Sequence, residues 1–315
     1  MAYCPSKTFF IISLTCIFLA VSISGFWYVK GRIFCVITKK HIVCTTSMIT
    51  DAVKNIVGNA VEVHGLMGPG IDPHLYRVRE SDVHHLHNAD IIFYNGLHLE
   101  GKLADILEKM DAYIPTVAVS GGISSDVLRK AENSLNIYDP HIWFDISLWI
   151  LVVRYICDNL VRVYPQYKKD FQKRTASYVH QLTMVEHYVK TLVQCIPEKK
   201  RILITAHDAF GYFGRRYKFK VIGLQGMSTE SVISPHDVSH LAQYIVRNRV
   251  KAIFPESSIS PRSMHALNQA ISAYGWHIII GGELFSDALG DVHTKAGTYI
   301  GMMRHNIDTI VKTLA

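Results

Sequence analysis

The chain has no CxxC pair among its six cysteines, no HExxH motif and no short repeat or low-complexity tract. The first absence argues against a zinc ribbon or a thioredoxin-type redox site. The second leaves no local metalloprotease signature. Charge is sparse. Only 19% of residues are Asp, Glu, Lys or Arg, while 49% are hydrophobic, so the chain can bury sizeable cores and lacks the composition of a disordered polypeptide. The formal net charge is +7, but the basic residues are scattered apart from "KKR" at 199–201 and "GRRYKFK" at 214–220. Neither run interleaves with a nucleic-acid motif, so the charge reads as solvated surface and no nucleic-acid partner is expected.

Beyond residue 30 no apolar run is long enough to span a bilayer. Before it there is one. "TFFIISLTCIFLAVSISGFWYV" follows a short start with a single Lys, and Ser22, Ser24 and Gly25 suit cleavage after Ser24. Residues 1–37 are therefore expected to be an export segment. A run of this length also suits a retained membrane anchor. Cys16 follows "SLT", a poor match to a lipoprotein cleavage box, so a free periplasmic protein is expected. Export permits disulfides. Cys35, Cys44, Cys157 and Cys195 allow three pairings, and the alternative is that they serve as small buried hydrophobes.

From residue 40 strand-like and helix-like segments alternate: "HIVCTTS", "MITDAVKNIVG", "AVEVHGL", "SDVHHLHNA" (opened by a Ser-Asp cap), "DIIFYNG", "GKLADILEKM" and "YIPTVAVS". This βα pattern predicts a parallel sheet flanked by helices. A helix over 146–163 follows, with Arg154, Asp158 and Arg162 on one stripe, and Pro165 interrupts it. Then Phe171, Tyr178, Leu182, Val185, Val189, Leu192 and Ile196 form one apolar stripe at helical spacing. A helix over about 165–195 would run roughly 45 Å, longer than a compact domain needs, and reads as a strut. After Pro197 the βα pattern returns. The expected fold class is therefore α/β: a lobe at 38–164, a linking helix at 165–196 and a second lobe at 197–315, each lobe with a mainly parallel sheet.

Ligands of open α/β sheets bind beyond the carboxyl ends of the strands. Four side chains fall there: His74 in "GPGIDPHLY", His141 in "YDPHIWFD", His207 in "ILITAHDAFGYF" and Asp287 in "IIIGGELFSDALG". Two come from each half. "DPH" occurs at 72–74 and again at 139–141, and the proline makes each entry rigid. Taken singly, each His could be a turn residue and Asp287 a helix cap for "ALG". His84, His85 and His87 in "HHLH" form either a secondary metal patch or a solvated helix face, and Glu256 either supports a ligand or caps a helix.

The motifs "GPGIDPHLY", "NADIIFYNGLHLE", "DPHIWFD", "TAHDAFGYF", "IFPESSISPR" and "ELFSDALG" together resemble the cluster A-I solute-binding proteins of ABC transporters, in order and separation, over residues 38–315. The resemblance implies two lobes joined by one rigid helix, no enzymatic activity, and capture of one divalent transition metal by His74, His141, His207 and Asp287. It also implies a membrane permease with its ATPase as partners, and a monomer in the periplasm. Three imidazoles and a carboxylate suit Fe²⁺, Mn²⁺ or Zn²⁺. Zinc-uptake members often carry a His-rich or acidic loop before the second ligand. Residues 111–138 here hold no His and only Asp111, Asp126 and Glu132, which favours iron or manganese. Two rivals remain: a metal-dependent hydrolase using Glu256 or Glu283 as base, and a metal-binding adhesin or structural protein.

Overall fold

Strand β1 (His41–Cys44) buries both of its faces, with Ile42 and Cys44 in one apolar cluster and Val43 in another. Its sequence is accordingly an unbroken apolar run rather than an alternating one. The structure, a computed structural model, describes residues 40–131 and 137–315. The expected export segment, Cys35 and Glu132 lie outside the described residues.

With β2 (Glu62–Gly65), β3 (Ile91–Tyr94) and β4 (Thr116–Ala118), β1 forms a wholly parallel sheet in the order β2-β1-β3-β4. Helices α1 (Ser47–Val57), α2 (Glu80–His87) and α3 (Ala104–Asp111) fill the connections. The expected Ser-Asp cap of α2 is corrected. The cap position is Arg79, whose amide donates to Asp82 Oδ2 at 2.7 Å, so Asp82 works from inside the first turn.

Helix α4 (Ile146–Val163) starts at Asp145, which accepts from the Ser147 amide. Pro165 then opens a 3₁₀ turn (Pro165–Tyr167) that runs straight into α5 (Lys168–Val193). Proline costs little in a first turn, where its missing N–H would have no partner. The continuous helical stretch of roughly 44 Å follows from ~1.5 Å per residue. Its buried stripe is Phe171, Thr175, Tyr178, Leu182, Val185, Val189 and Val193. Thr175 fills the seven-residue gap in the expected stripe, and Val193 takes the last step in place of the half-buried Leu192. The Tyr178 hydroxyl donates to Asp51 of α1 at 2.9 Å, and the Tyr188 hydroxyl donates to Asp308 of α9 (Tyr299–Leu314) at 2.6 Å. The strut is thus pinned to both halves.

In the second half, β5 (Ile202–His207) pairs with β6 (Lys220–Gln225), and β7 (Ala252–Ile253) with β8 (Ile279–Ile280), all parallel. A bridge between Thr205 and Phe254 ties the two pairs, so the strands run β6-β5-β7-β8 and repeat the order of the first sheet. The last two strands are shorter than "KAIFPES" and "WHIIIGG" suggest, because Pro255 has no N–H for the ladder. Helices α6 (Gly211–Tyr217), α7 (Pro235–Arg247) and α8 (Arg262–Ala273) complete this lobe, with Ser234 and Asp237 capping α7 reciprocally. The strand order reverses between β1 and β3, and again between β5 and β7. In such folds a crevice opens at that reversal.

Cys44 and Cys157 are buried, Cys195 is exposed, and all three are free, so the disulfide alternative is set aside for the described cysteines. None of the described helices is long and apolar enough to cross a membrane.

Candidate metal centre

His74 sits in the loop after β2. Gly70 turns that loop with φ +69°, a value side-chain-bearing residues rarely adopt. The His74 amide donates to Asp72 Oδ1 at 2.9 Å, and Asp72 Oδ2 accepts from the Thr229 hydroxyl of the second lobe at 2.6 Å. The second DPH repeats the device. The His141 amide donates to Asp139 Oδ1 at 3.0 Å, and Asn95 fastens the loop by donating to the Pro140 carbonyl at 2.9 Å. In both tripeptides the aspartate closes a local turn onto the histidine two residues on. The proline credited in the sequence is only half of the constraint.

Asp139 does more. Its Oδ1 lies 2.7 Å from His141 Nδ1, and its Oδ2 accepts from Arg129 at 2.7 Å. That contact turns His141 Nε2 away, toward the crevice. Glu256 does the same for His207. It accepts from the His207 amide at 2.9 Å and stands 2.6 Å from Nδ1. Glu256 follows β7 and His207 ends β5, so the pair marks the strand reversal. Carboxylates that hold one imidazole nitrogen orient the other and raise its basicity toward a metal. Strand β6 passes closely at Gly223, where a Cβ would stand 2.5 Å from the His207 carbonyl carbon.

Asp287 lies in a loop beyond β8, not at a helix start, so the cap alternative is discarded. Trp143 of the first half donates to the Ser286 carbonyl at 2.9 Å and holds this loop against the His141 loop.

The structure brings all four candidates together. One donor atom from each of His74, His141, His207 and Asp287 lies within 4.8 Å of every other. Asp287 Oδ2 is 3.1 Å from His207 Nε2 and 3.9 Å from His74 Nε2, and its Oδ1 is 3.5 Å from His141 Nε2. Donors ~2.1 Å from a tetrahedral ion stand about 3.4 Å apart, in the middle of this range. The four residues are at most 3% exposed, and none of these donor atoms makes a hydrogen bond of acceptable geometry. Leaving five buried polar atoms unmatched costs several kcal/mol, at about 1–3 kcal/mol each, unless something fills the space between them.

The charges fit a cation. Burial pushes the His74 pKa down to about 4, aided by His141 and His207 and opposed by Asp287. Burial works on His207 in the same direction, but Asp287 and Glu256 outweigh it and hold its pKa well above the ordinary value. Burial would raise Asp287. Its neighbours His207, His141 and His74 reverse this and hold the carboxyl well below the usual carboxylate range.

Three supporting residues escaped the sequence pattern. The repeated Asp of DPH was the available signal for Asp72 and Asp139, and nothing local marked Arg129. In the "HHLH" segment two of the three histidines follow the solvated-face alternative. His84 and His87 are exposed and form no cluster with each other, whereas His85 turns inward onto His41 and His64.

Fold and site together define a class: a two-lobed solute-binding protein of a metal ABC transporter, not an enzyme. The family model described as "ZnuA: Zinc-uptake complex component A periplasmic" matches residues 42–313, and the chain belongs to that family. It is 45% identical over 301 residues to the zinc-binding protein TroA of Treponema pallidum, covering 95% of this chain and 97% of that protein. It is 44% identical over 274 residues to the manganese-binding lipoprotein MntA of Bacillus subtilis, covering 87% and 89%. The solved structure of periplasmic zinc-binding TroA superimposes with a TM-score of 0.86 at 47% identity, over 88% of this chain and 99% of that one. Fe(III)-bound YtgA of Chlamydia trachomatis does so with 0.79 at 27% identity, over 88% and 98%.

Proposed function

We propose that this chain captures one divalent transition metal outside the cytoplasmic membrane and delivers it to an ABC permease driven by its ATPase. His74, His141 and His207 bind through Nε2 and Asp287 through its carboxylate. The carrying observation is the set of buried donor atoms from both lobes that converge without hydrogen-bond partners. In this reading residues 1–37 export the chain, and it acts as a periplasmic monomer. Lobes 38–164 and 197–315 close on the ion from either side of the linking helix 165–196.

The transported ion is iron or manganese in this reading. Two features support it. Residues 111–138 carry no histidine to gather zinc. Asp287 also presents both oxygens, Oδ1 toward His141 and Oδ2 toward His74 and His207. A carboxylate bound through both oxygens makes five donors, whereas protein zinc sites of this closed kind are almost always four-coordinate. Zinc still binds in solution, because the general affinity order places it above Mn²⁺ and Fe²⁺. The named relatives span this range, with zinc-binding TroA, manganese-binding MntA and Fe(III)-bound YtgA.

The experiment is to purify the mature chain without chelators, measure its metals, and titrate Fe²⁺, Mn²⁺ and Zn²⁺ anaerobically in competition. One tightly held ion per chain, with iron or manganese enriched in protein isolated from its native envelope, is expected. Enrichment of zinc alone would overturn the choice of ion. Hydrolysis of an ester, peptide or phosphate would overturn the transport reading. Four protein ligands leave little room for an activated water.

A further inference from the structure

A second group of imidazoles lies outside the central site. His41 opens β1, His64 lies in β2, and His85 lies on α2. The register pairs His41 with Glu62 and Val43 with His64. His41, Val43 and His64 therefore share the sheet face that α2 covers, since alternate strand residues point the same way. Beneath them this face is aliphatic, with Val43, Ile92 and Leu86 buried in one cluster, and the exposed Glu62 stands opposite His41 at its edge. Apolar side chains would be the ordinary occupants where the imidazoles stand.

The rings meet. His64 and His85 stack at 3.5 Å between centroids, 12° from parallel, and His41 lies 5.4 Å from His85 and 6.1 Å from His64. His85 Nδ1 and His41 Nε2 are 3.4 Å apart. That is at the long end of hydrogen-bond distance between two ring nitrogens. It matches the edge of about 3.4 Å expected for two nitrogens ~2.1 Å from one tetrahedral ion. All three side chains are half-buried, so solvent ions reach them. Burial lowers the His64 pKa, helped by His85 and His41 and opposed by Asp82 and Glu62, which favours the unprotonated ring. Asp82 stays a neighbour rather than a ligand, because its Oδ2 already accepts from the Tyr76 hydroxyl and the Arg79 amide, both at 2.7 Å.

We propose that His41, His64 and His85 form a second, weaker binding site for a divalent first-row transition metal that prefers imidazole, Zn²⁺ in the first instance. His41 and His85 already stand at ligand spacing. His64 swings out of its stack on His85 to supply the third nitrogen, and water completes the shell. The site is open, with Glu62 the register partner of His41 on the same face, and every residue that builds it lies in the first lobe, so it loads and empties without the second lobe. The proposal is independent of the reading of the central site.

The test is calorimetric titration of the full mature chain with Zn²⁺, repeated on His85→Ala, His64→Ala and the control His236→Ala. His236 and His240 also stack, on α7, and could bind zinc adventitiously. The expected result is a tight event followed by a weaker one. His85→Ala and His64→Ala each remove only the weaker event, and His236→Ala leaves both. With Co²⁺ as the probe, the second equivalent gives visible bands of a nitrogen-rich site that vanish in His85→Ala. A single event in the parent chain that survives His85→Ala and His64→Ala overturns the proposal. So does a second event that survives both cluster variants, or one lost on His236→Ala.

Discussion

Asp139 and Glu256 bind no ion in this account, yet they set which imidazole nitrogen faces it. Glu256 takes both the amide and Nδ1 of His207, so Glu256→Gln keeps the shape and weakens the hold. Metal affinity should fall about 10–100-fold, the usual effect of losing such a partner, with the fold intact by circular dichroism. Protons follow the same logic. The metal-free protein carries a proton on His207, whose pKa is raised, while His74 stays neutral until pH falls to about 4. Only unprotonated imidazole binds metal. Affinity should therefore weaken as pH falls through the neutral range because of His207, and His74 adds its own competition only near pH 4. Titration at pH 7 in buffers of different ionisation enthalpy should show net proton release on metal binding. No release would contradict the assignment.

Helix α5 carries the stability of the linkage. Leu182 is fully buried on its stripe, so Leu182→Ala should cost about 2–5 kcal/mol in chemical denaturation. Metal affinity of the folded protein should not change. This helix was legible in the sequence because its stripe is long and regular, and Thr175 was hidden because it is polar. Both sheets were legible from their apolar runs. The shortness of β7 and β8 was not, because it depends on Pro255 and on pairing across the sheet. Of the site, the four donors stood out beside turn residues at strand ends. Asp72, Asp139 and Arg129 did not, because their role rests on contacts made only after folding. The inward turn of His85 onto His41 and His64 was likewise invisible, since α2 and β1 are far apart in sequence.

At the scale of the whole molecule, the contacts that fasten the lobes beside the site include two made by Thr229 and Glu230. The Thr229 hydroxyl donates to Asp72, and Lys102 pairs with Glu230 at 2.7 Å. The ion pair is about 44% exposed on each side, and such pairs contribute under about 1 kcal/mol. The hydroxyl bond reaches a carboxylate that also holds His74, and bonds to charged groups contribute about 1.5–3 kcal/mol. Stopped-flow chelation should thus show release accelerated about tenfold or more in Thr229→Ala and much less in Lys102→Ala, since 1.4 kcal/mol is a factor of ten. With a pinned strut, opening should be confined to such loops rather than a wide hinge.

The central claim is that one ion sits between the lobes on these four side chains. Crystals of the metal-loaded mature chain, measured above and below the absorption edge of the bound metal, locate it directly. The account predicts a dominant anomalous peak about 2.0–2.2 Å from Nε2 of His74, His141 and His207 and from the Asp287 carboxylate. A loaded protein whose dominant peak lies elsewhere, or misses any of the four, would contradict it.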